Sequence, residues 1–430
     1  MVQTMAIRLT TPAPAALAVP FPWGYAFHLA IAGFGVALIG PMYTSYVPVF
    51  LKELGLNATL IGFLSSLDSY GSLLILPTVA ALSDRTRTRL GRRAPFMLAA
   101  APVVAVAFAA LPHGRSLPLL LPAIFGTVLG MAVLRGPTAS LLGDRFPPVW
   151  RDRASGVTNL TGGLAWVLAF VLGGALYLQD RTLPFLVLGI TMLLCVAFVA
   201  LTLRKPAPGV ERVAPATPPA GTGDGAALAD PHVWRVLRGI LSGGNPRLLA
   251  ILLALLTWIA GTFAVANFFT LYGQQVLHIK PGFATQLLGL YAIAGVLFAV
   301  PAGLLTRRFG RRRMLAAGFA GLFGLFILAY FANDVWTIGA LLALAGVAGT
   351  AGSVNTLPMV LEAAPPGDVG TYTGLTYIFG AVGGLLGPLL AGQLIDFTGS
   401  YRSIFLFGPL MMALALILIL RVPDSAPAAE

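Results

Sequence analysis

Two charged residues, Asp68 and Arg135, interrupt stretches of this sequence that are otherwise apolar. Each stretch is about 20 residues or longer, the length that a helix needs to cross the hydrocarbon core of a bilayer. A charged side chain at the bilayer centre costs roughly 2.5–3.5 kcal/mol, so a residue of this kind usually has a function. We expect the Asp68 carboxyl to take up and release a proton, with Arg135 helping to expel it. The alternative is that each residue bonds a neighbouring helix.

A direct ion pair between Asp68 and Arg135 is not expected. At 1.5 Å of rise per residue, their positions in the two apolar stretches differ in depth by roughly 9 Å. We therefore expect the two side chains to communicate through water or a bound solute.

Polar side chains in other apolar stretches are candidates for binding a polar solute. Amides can hydrogen-bond hydroxyl groups, and aromatic faces can stack on sugar rings. The candidates are Tyr43, Asn159, Trp258, Asn267, Asn355 and Tyr377. The alternative for each is packing between membrane helices, where Asn and Tyr are common.

A dense group of charges, the basic cluster, occupies residues 83–96 (SDRTRTRLGRRAPF). Asp84 is followed by five arginines within nine residues, which are Arg85, Arg87, Arg89, Arg92 and Arg93. Lys and Arg in short loops collect on the cytoplasmic side of a membrane. The simplest interpretation is a solvated signal for orientation, but the order of these residues is more specific than orientation requires.

Composition indicates a membrane protein that crosses the bilayer many times. Of 430 residues, 57% are hydrophobic and 10% are charged, and the mean hydropathy is +0.87. A soluble domain is about a quarter charged. The net charge of +12 follows from arginines in loops, so no nucleic-acid partner is expected. The single cysteine and the lack of any recognisable catalytic motif predict neither an enzyme nor a metal or cofactor site.

Apolar runs of about 20 residues predict twelve spans. They lie near residues 25–49, 58–82, 95–112, 117–142, 155–177, 183–203, 247–273, 284–305, 314–331, 335–361, 372–395 and 403–420. With the basic cluster inside, the inner loops and tails hold 21 of the 27 Lys and Arg residues. This asymmetry predicts that both termini lie in the cytoplasm. The membrane is expected to be the plasma membrane.

The chain divides into two halves around a linker. We expect a tail at 1–22, a bundle of six helices at 23–203, a linker at 204–246, a second bundle at 247–421 and a tail at 422–430. Most of the linker is too rich in Pro, Ala and Gly to fold. Residues 231–247 (PHVWRVLRGILSGGNPR) predict a short amphipathic helix. Its residues predicted to face lipid are Trp234, Val236, Leu237 and Ile240.

The two halves repeat at an offset of 218 residues. The repeat pairs Asp144 with Glu362, Gly156 with Gly374, Gly162 with Gly380, and Gly174 with Gly392. Spans 3, 6, 9 and 12 are nearly bare of polar side chains, so they should face lipid, and the other eight should line a cavity. The predicted fold is an all-α membrane protein with twelve transmembrane helices in two pseudo-symmetric six-helix bundles. A site at the midplane between them suits a transporter.

The sequence resembles the major facilitator superfamily of transporters, in particular the glycoside–pentoside–hexuronide permeases and sucrose-transporter-like proteins. The resemblance covers all twelve spans. Three stretches carry it, namely Asp84–Arg93, Arg135–Asp144 (RGPTASLLGD) and Pro147–Gly156.

The resemblance implies a latch on the cytoplasmic side. In the family, a carboxylate there pairs with arginines and helix ends in one conformation and releases them in the other. Such pairs are weak enough to break in every cycle. The implied latch residues are Asp84, Arg85, Gly91, Arg92, Arg93, Asp144, Arg151, Arg153 and Glu362. In the second half, Arg307 stands where the family has an aspartate.

The resemblance also bears on the substrate. The two carboxylates of sodium-coupled permeases correspond to Ser72 and Leu76 here, and the arginine of proton-coupled sucrose carriers corresponds to Ala139. Arg135 lies one turn from Ala139 and could replace that arginine. We expect a monomeric secondary transporter that moves a sugar or glycoside together with a proton. The alternative is a proton-driven efflux antiporter for drugs or metabolites.

Overall fold

The computed structural model describes residues 20–86, 88, 93–203, 231–365 and 368–422. Within these residues, eleven helices are long and apolar enough to cross a membrane. The remaining predicted span, near 58–82, is also helical but is broken into Ala58–Ser65 and Leu67–Arg85. The prediction of an all-α membrane protein with twelve spans is confirmed.

The spans follow one another in alternating directions. Their bounds are Trp23–Ala37 with Ile39–Glu53 (span 1), Ala58–Ser65 with Leu67–Arg85 (span 2), Ala94–Ala110 (span 3), Leu117–Arg145 (span 4), Pro148–Gln179 (span 5), Leu183–Thr202 (span 6), Pro246–Gln275 (span 7), Pro281–Phe309 (span 8), Arg311–Phe331 (span 9), Val335–Glu362 (span 10), Val369–Thr398 (span 11) and Ile404–Leu420 (span 12). Span 1 begins and span 12 ends at the same face, which we call the terminal face; the other is the opposite face.

Local sequence signals set where the spans begin. Pro246 and Pro281 each occupy the first turn of a helix, where a fixed φ and a missing N–H carry no penalty. The side chains of Asn245 and Asp334 accept hydrogen bonds from the backbone N–H three residues later, at 3.0 and 2.8 Å. Gly310 joins spans 8 and 9 with φ of 84°, a value that favours glycine. These features allow short, sharp connections.

Spans 1 and 2 are both interrupted near their middles, which the sequence analysis did not predict. In span 1, Pro41 cannot donate a hydrogen bond to the carbonyl of Ala37, and the helix breaks just there. In span 2, the hydroxyl of Ser65 donates to the carbonyl of Ile61 at 2.7 Å. Serine hydroxyls that bond the preceding turn often bend a helix. The break at Ser66 therefore has a local cause.

Spans 3, 6, 9 and 12 lie on the outside, as their polarity predicts. On each of them at least one large aliphatic side chain is more than half exposed, namely Val106, Leu194, Leu328 and Leu410. Exposed aliphatic surface of this kind suits contact with lipid tails.

The two bundles touch closely at the opposite face. A Cβ atom placed on Gly62 of span 2 would overlap the carbonyl of Pro388 in span 11. On the other side of the molecule, a Cβ on Gly282 of span 8 would lie 2.5 Å from the carbonyl oxygen of Gly174 in span 5. Backbone therefore packs against backbone in both places, and the opposite face is closed.

The linker helix, Pro231–Leu241, does not present the predicted face to lipid. Ile240 is buried, and Val236 and Leu237 are partly buried against the protein core. Of the four residues predicted to face lipid, Trp234 is the exposed one, at 53%. The prediction was wrong for the other three because the helix docks its apolar side on span 11, where His232 lies 3.2 Å from Asp368.

We predict that Gly346→Ala destabilises the second bundle. A Cβ on Gly346 in span 10 would overlap the carbonyl of Tyr291 in span 8, and overpacking of this kind costs about 1–3 kcal/mol. Thermal unfolding of the purified protein measures the loss. Gly324→Ala is the matched control, since nothing lies within 4 Å of a Cβ there. Equal stability of the two variants would contradict the prediction.

Candidate functional site

A cavity of about 590 Å³ lies between the two bundles. It reaches from the middle of the molecule toward the terminal face, because its walls come from these parts of spans 1, 2, 4, 5, 7 and 11. The lining residues are Leu29, Gly33, Val36, Gly40, Thr44, Asp68, Ser69, Arg135, Thr138, Ala139, Leu141, Leu142, Thr158, Trp166, Leu255, Ile259, Phe263, Thr376, Tyr377, Gly380 and Ala381. None of them belongs to spans 3, 6, 9 or 12, as predicted, but none belongs to spans 8 or 10 either, which were expected to line the cavity.

Asp68 and Arg135 form a direct ion pair at the wall of this cavity. The Arg135 Nη2 atom lies 3.0 Å from the Asp68 Oδ2 atom, and each side chain is about one third exposed. The expectation that they are too far apart was wrong. Spans 2 and 4 pack closely, with Gly71 against Val128, and the long Arg135 side chain leans back along its helix toward Asp68. Counting residues gives the depth of the two Cα atoms but leaves out the length of the Arg135 side chain.

The break in span 2 gives Asp68 a second favourable neighbour. Asp68 lies in the first turn of the helix that begins at Leu67. The N-terminal end of a helix carries a partial positive charge. The carboxylate is therefore placed between a helix N-terminus and a guanidinium group, both of which stabilise its negative charge.

Aromatic side chains from both bundles face the cavity. Trp166 in span 5 and Tyr377 in span 11 are each 44% exposed, and Phe263 in span 7 also lies at the wall. Tyr377 was among the predicted binding residues, whereas Trp166 was missed. Its place in the middle of a span, just after Gly162 and Gly163, is the signal that could have revealed it.

The other predicted binding residues are not among the residues that line the cavity in this conformation. Tyr43 is buried and donates to the carbonyl of Leu64 at 3.4 Å, and Asn355 is buried and donates to the carbonyl of Ala351 at 2.9 Å. These contacts, together with the burial of Trp258 and Asn267, match the alternative of packing between helices. The last, Asn159, is exposed and is not part of the cavity wall.

Two ion pairs at the terminal face are related by the repeat. Arg93 at the start of span 3 holds Asp144 at the end of span 4, with 3.0 Å between Nε and Oδ2. In the second bundle, Arg311 at the start of span 9 pairs with Glu362 at the end of span 10. Arg311 lies 218 residues after Arg93, and Glu362 lies 218 residues after Asp144. The internal repeat therefore extends to the ionic contacts.

For the remaining predicted latch residues the structure describes fewer contacts. Asp84 and Arg85 end span 2, while Gly91 and Arg92 lie outside the described residues. The Arg151 Nε atom donates to the carbonyl of Phe146 at 3.3 Å, and Arg153 is exposed. Among the described residues, no group of three His, Cys, Asp or Glu side chains is close enough to hold a metal ion.

Replacing Asp144 tests the ionic contact in the first bundle. The Arg93 side chain is only 9% exposed and the Asp144 side chain 18%, and Arg93 also donates to the hydroxyl of Ser83 at 3.1 Å. Asp144→Asn leaves a buried guanidinium without its carboxylate, which should lower the free energy of unfolding by about 3 kcal/mol. Chemical or thermal unfolding measures this. The control is Asp152→Asn, at an exposed position nearby; equal stability of both variants would refute the expectation.

Comparison with known families settles the class of the protein. The model of the Major Facilitator Superfamily matches residues 26–289 and 276–430, which is most of the chain. The chain belongs to the major facilitator superfamily. It is a membrane transporter by family, not an enzyme, and the resemblance noted in the sequence is confirmed.

Curated relatives match part of this superfamily member. Over 196 residues it is 28% identical to Proton-associated sugar transporter A of Mus musculus, covering 42% of the chain and 26% of that protein. It is also 27% identical over 154 residues to the MFS-type transporter ppzB of Metarhizium majus, covering 36% of the chain and 33% of that protein. The chain thus matches about a quarter to a third of the length of these relatives.

Solved structures with the same fold cover nearly the whole chain. A bacterial homolog of the human lysosomal transporter Spinster, in an inward-facing and occupied conformation, matches with a TM-score of 0.73 and 15% identity, over 95% of this chain and 100% of that one. A mutant form of the nucleoside transporter NupG matches with a TM-score of 0.69 and 12% identity, over 92% of this chain and 98% of that one. At these identities the likeness shows the fold.

Proposed function

We propose that this protein moves a sugar or glycoside across the membrane together with a proton, by alternating access. The observation that carries the proposal is the Asp68–Arg135 ion pair, which is open to a cavity that also presents aromatic faces from both bundles. The relatives named as proton-associated sugar transporters support the same substrate class.

Asp68 is the group that we assign to proton coupling. A proton on its carboxyl cancels the charge that holds Arg135, so the ion pair breaks and the guanidinium becomes available to solute or water. Loss of the proton restores the pair. Because the two conformations of the transporter surround Asp68 with different amounts of water, its proton affinity alternates between them. Solute binding and proton binding are then linked through the same pair of side chains.

The polar part of the cavity suits a neutral molecule with many hydroxyl groups. Thr44, Thr138, Thr158 and Ser69 belong to the cavity wall. The hydroxyls of Thr138 and Thr158 donate to carbonyls of their own helices, at 2.7 and 3.2 Å, and each keeps an oxygen that can accept a hydrogen bond. A hydroxyl can both donate and accept a hydrogen bond, which matches the hydroxyls of a sugar. The aromatic faces of Trp166 and Tyr377 offer stacking surfaces for the apolar side of a sugar ring.

The orientation follows from charge. We assign the terminal face to the cytoplasm of a plasma-membrane protein, because 21 of the 27 Lys and Arg residues fall in the stretches that the sequence assigns to loops and tails on that side. The cavity then opens inward in the conformation described. The cavity lies between two bundles of one chain, so a monomer suffices for transport.

Residues predicted to bind solute but buried here keep that role as a proposal for the opposite conformation. The Asn267 side-chain oxygen is buried and has no hydrogen-bond partner among the described residues. A buried amide oxygen without a partner costs free energy that exposure to water would recover. Opening of the opposite face would hydrate this atom. We assign the buried residues Tyr43, Trp258 and Asn355 to the same conformation, together with Asn159, which is exposed here but outside the cavity wall.

A second candidate function is efflux of an apolar compound driven by protons. Much of the cavity wall is aliphatic, including Leu29, Val36, Leu141, Leu255 and Ile259. Such a wall suits an apolar, drug-like solute better than it suits a sugar. The two functions differ in direction, since a pH gradient, acidic outside, accumulates a symported sugar and expels an antiported drug.

Asp68→Asn tests the coupling role. In proteoliposomes with an imposed pH gradient, the native protein should accumulate radiolabelled sucrose or glucose. The asparagine keeps most of the hydrogen-bonding capacity but cannot titrate, so accumulation should disappear while exchange of sugar across the membrane continues. Accumulation by the Asn variant would assign the proton to another group. Asp180→Asn, at a position outside the spans, is the control and should transport normally.

Trp166→Ala tests the sugar-binding face. Loss of an aromatic stacking surface should raise the KM for sugar about tenfold, which corresponds to about 1.4 kcal/mol, with a smaller change in kcat. The matched control is Trp336→Ala, which removes an exposed tryptophan at the opposite face. If both variants keep the native KM, Trp166 does not contact the sugar.

A further inference from the structure

A carboxylate of the second bundle caps a helix of the first bundle at the opposite face. Asp396, near the end of span 11, accepts hydrogen bonds from the backbone N–H groups of Ala58 and Thr59, both at 2.8 Å. It also accepts a hydrogen bond from the Thr59 hydroxyl at 2.6 Å. Ala58 is the first residue of span 2, so the carboxylate satisfies N–H groups that a helix start leaves without partners. A negative charge there is also favoured by the helix dipole.

This cap joins the two bundles directly, and it lies beside the tight contact of span 2 with span 11. A Cβ on Gly392 would overlap the carbonyl of Ala58, so the two backbones touch one turn away from Asp396. A cation of the first bundle lies nearby, because the Lys52 ammonium is 5.8 Å from the centre of the Tyr401 ring in the second bundle. The contact therefore holds together two bodies that must separate when the opposite face opens.

The equivalent contact on the other side of the molecule lacks such a cap. The offset of 218 relates Gly392 to Gly174 and Asp396 to Leu178. Gly174 packs against Gly282 at the start of span 8, as Gly392 packs against Ala58, and Leu178 lies against Gly282 as well. Leu178 in span 5 therefore makes an apolar contact with span 8 at the position where Asp396 in span 11 accepts three hydrogen bonds from span 2. On that side Gln286 of span 8 donates one long hydrogen bond to the carbonyl of Val171 in span 5, at 3.4 Å, so the charged cap is found on the Asp396 side among the described residues.

Other groups at the closed half oppose closure. The hydroxyls of Ser45 in span 1 and Thr270 in span 7 are fully buried and have no hydrogen-bond partner among the described residues, like the Asn267 oxygen. Water would bind these groups if the opposite face were open, so their burial disfavours the closed form. A specific attraction between the bundles has to offset this cost.

We infer that the Asp396 carboxylate stabilises the conformation in which the opposite face is closed, and so sets the balance between the two conformations of the transport cycle. Asp396 acts through the start of span 2 and touches no solute, so it is a positioning residue. Three charge-assisted hydrogen bonds form when the face closes and break when it opens. The inference rests on alternating access and is independent of which solute is carried.

The test measures the distance between the bundles at the opposite face. Spin labels are attached at Arg115→Cys, between spans 3 and 4, and at Lys280→Cys, just before span 8, in a Cys195→Ser background. Pulsed electron paramagnetic resonance in nanodiscs should give mainly one short distance. In Asp396→Ala a longer distance should appear, with the ratio of open to closed forms raised about tenfold, as expected for loss of a helix cap.

Asp334→Ala is the matched control. Asp334 also caps a helix at this face, accepting from the Thr337 N–H at 2.8 Å, but that helix is its own. The control should keep the native distance distribution. Thr59→Val, which removes one of the three hydrogen bonds, should shift the distribution in the same direction as Asp396→Ala but less, and it serves if the latter does not fold. Distributions for Asp396→Ala and Thr59→Val that match the control would overturn the inference. Because the measurement uses no sugar and no pH gradient, it remains decisive if the proposed substrate is wrong.

Discussion

The core of a bilayer has no water to hydrogen-bond a polar group, and this constraint shapes the whole molecule. Backbone groups are satisfied within helices, and the charges at depth, Asp68 and Arg135, are satisfied by each other at the wall of a cavity. The cavity exists because the bundles touch at one face and diverge toward the other. The shape of the cavity therefore depends on how closely a few glycines let the two bundles approach at the opposite face.

The sequence predicted the fold well and the site partly. The offset of 218 anticipated that Asp144 and Glu362 are equivalent, and the structure adds that each is held by an equivalent arginine. Equivalent positions in the two halves can be recognised in the sequence because the bilayer imposes a similar hydrophobic pattern on every span. The Asp68–Arg135 pair could not be predicted, because it depends on a side chain leaning along its helix and on the close packing of spans 2 and 4. Whether a residue of span 7 or span 10 meets the cavity is set by the packing of all the spans, so the burial of Trp258 and Asn355 could not be predicted from the sequence either.

The two bundles have kept the same scaffold and diverged at the site. The ion pairs at the terminal face are duplicated, yet both charges at the cavity wall come from the first bundle. The second bundle contributes Phe263, Thr376 and Tyr377, which are uncharged. A solute held between them would meet charge on one side and mainly apolar or aromatic surface on the other. The two bundles thus share one framework, but both charges of the cavity wall belong to the first bundle and the wall of the second is uncharged.

The backbone contact at the opposite face also has an electrical consequence. A carrier driven by an ion gradient wastes that gradient if protons slip through while the solute site is empty. Where Gly62 meets Pro388 and Gly174 meets Gly282, peptide groups approach so closely that no room is left for a file of water molecules along which a proton could hop. For the proton-coupled transport proposed above, glycine at these two contacts removes a path by which protons could leak between the bundles.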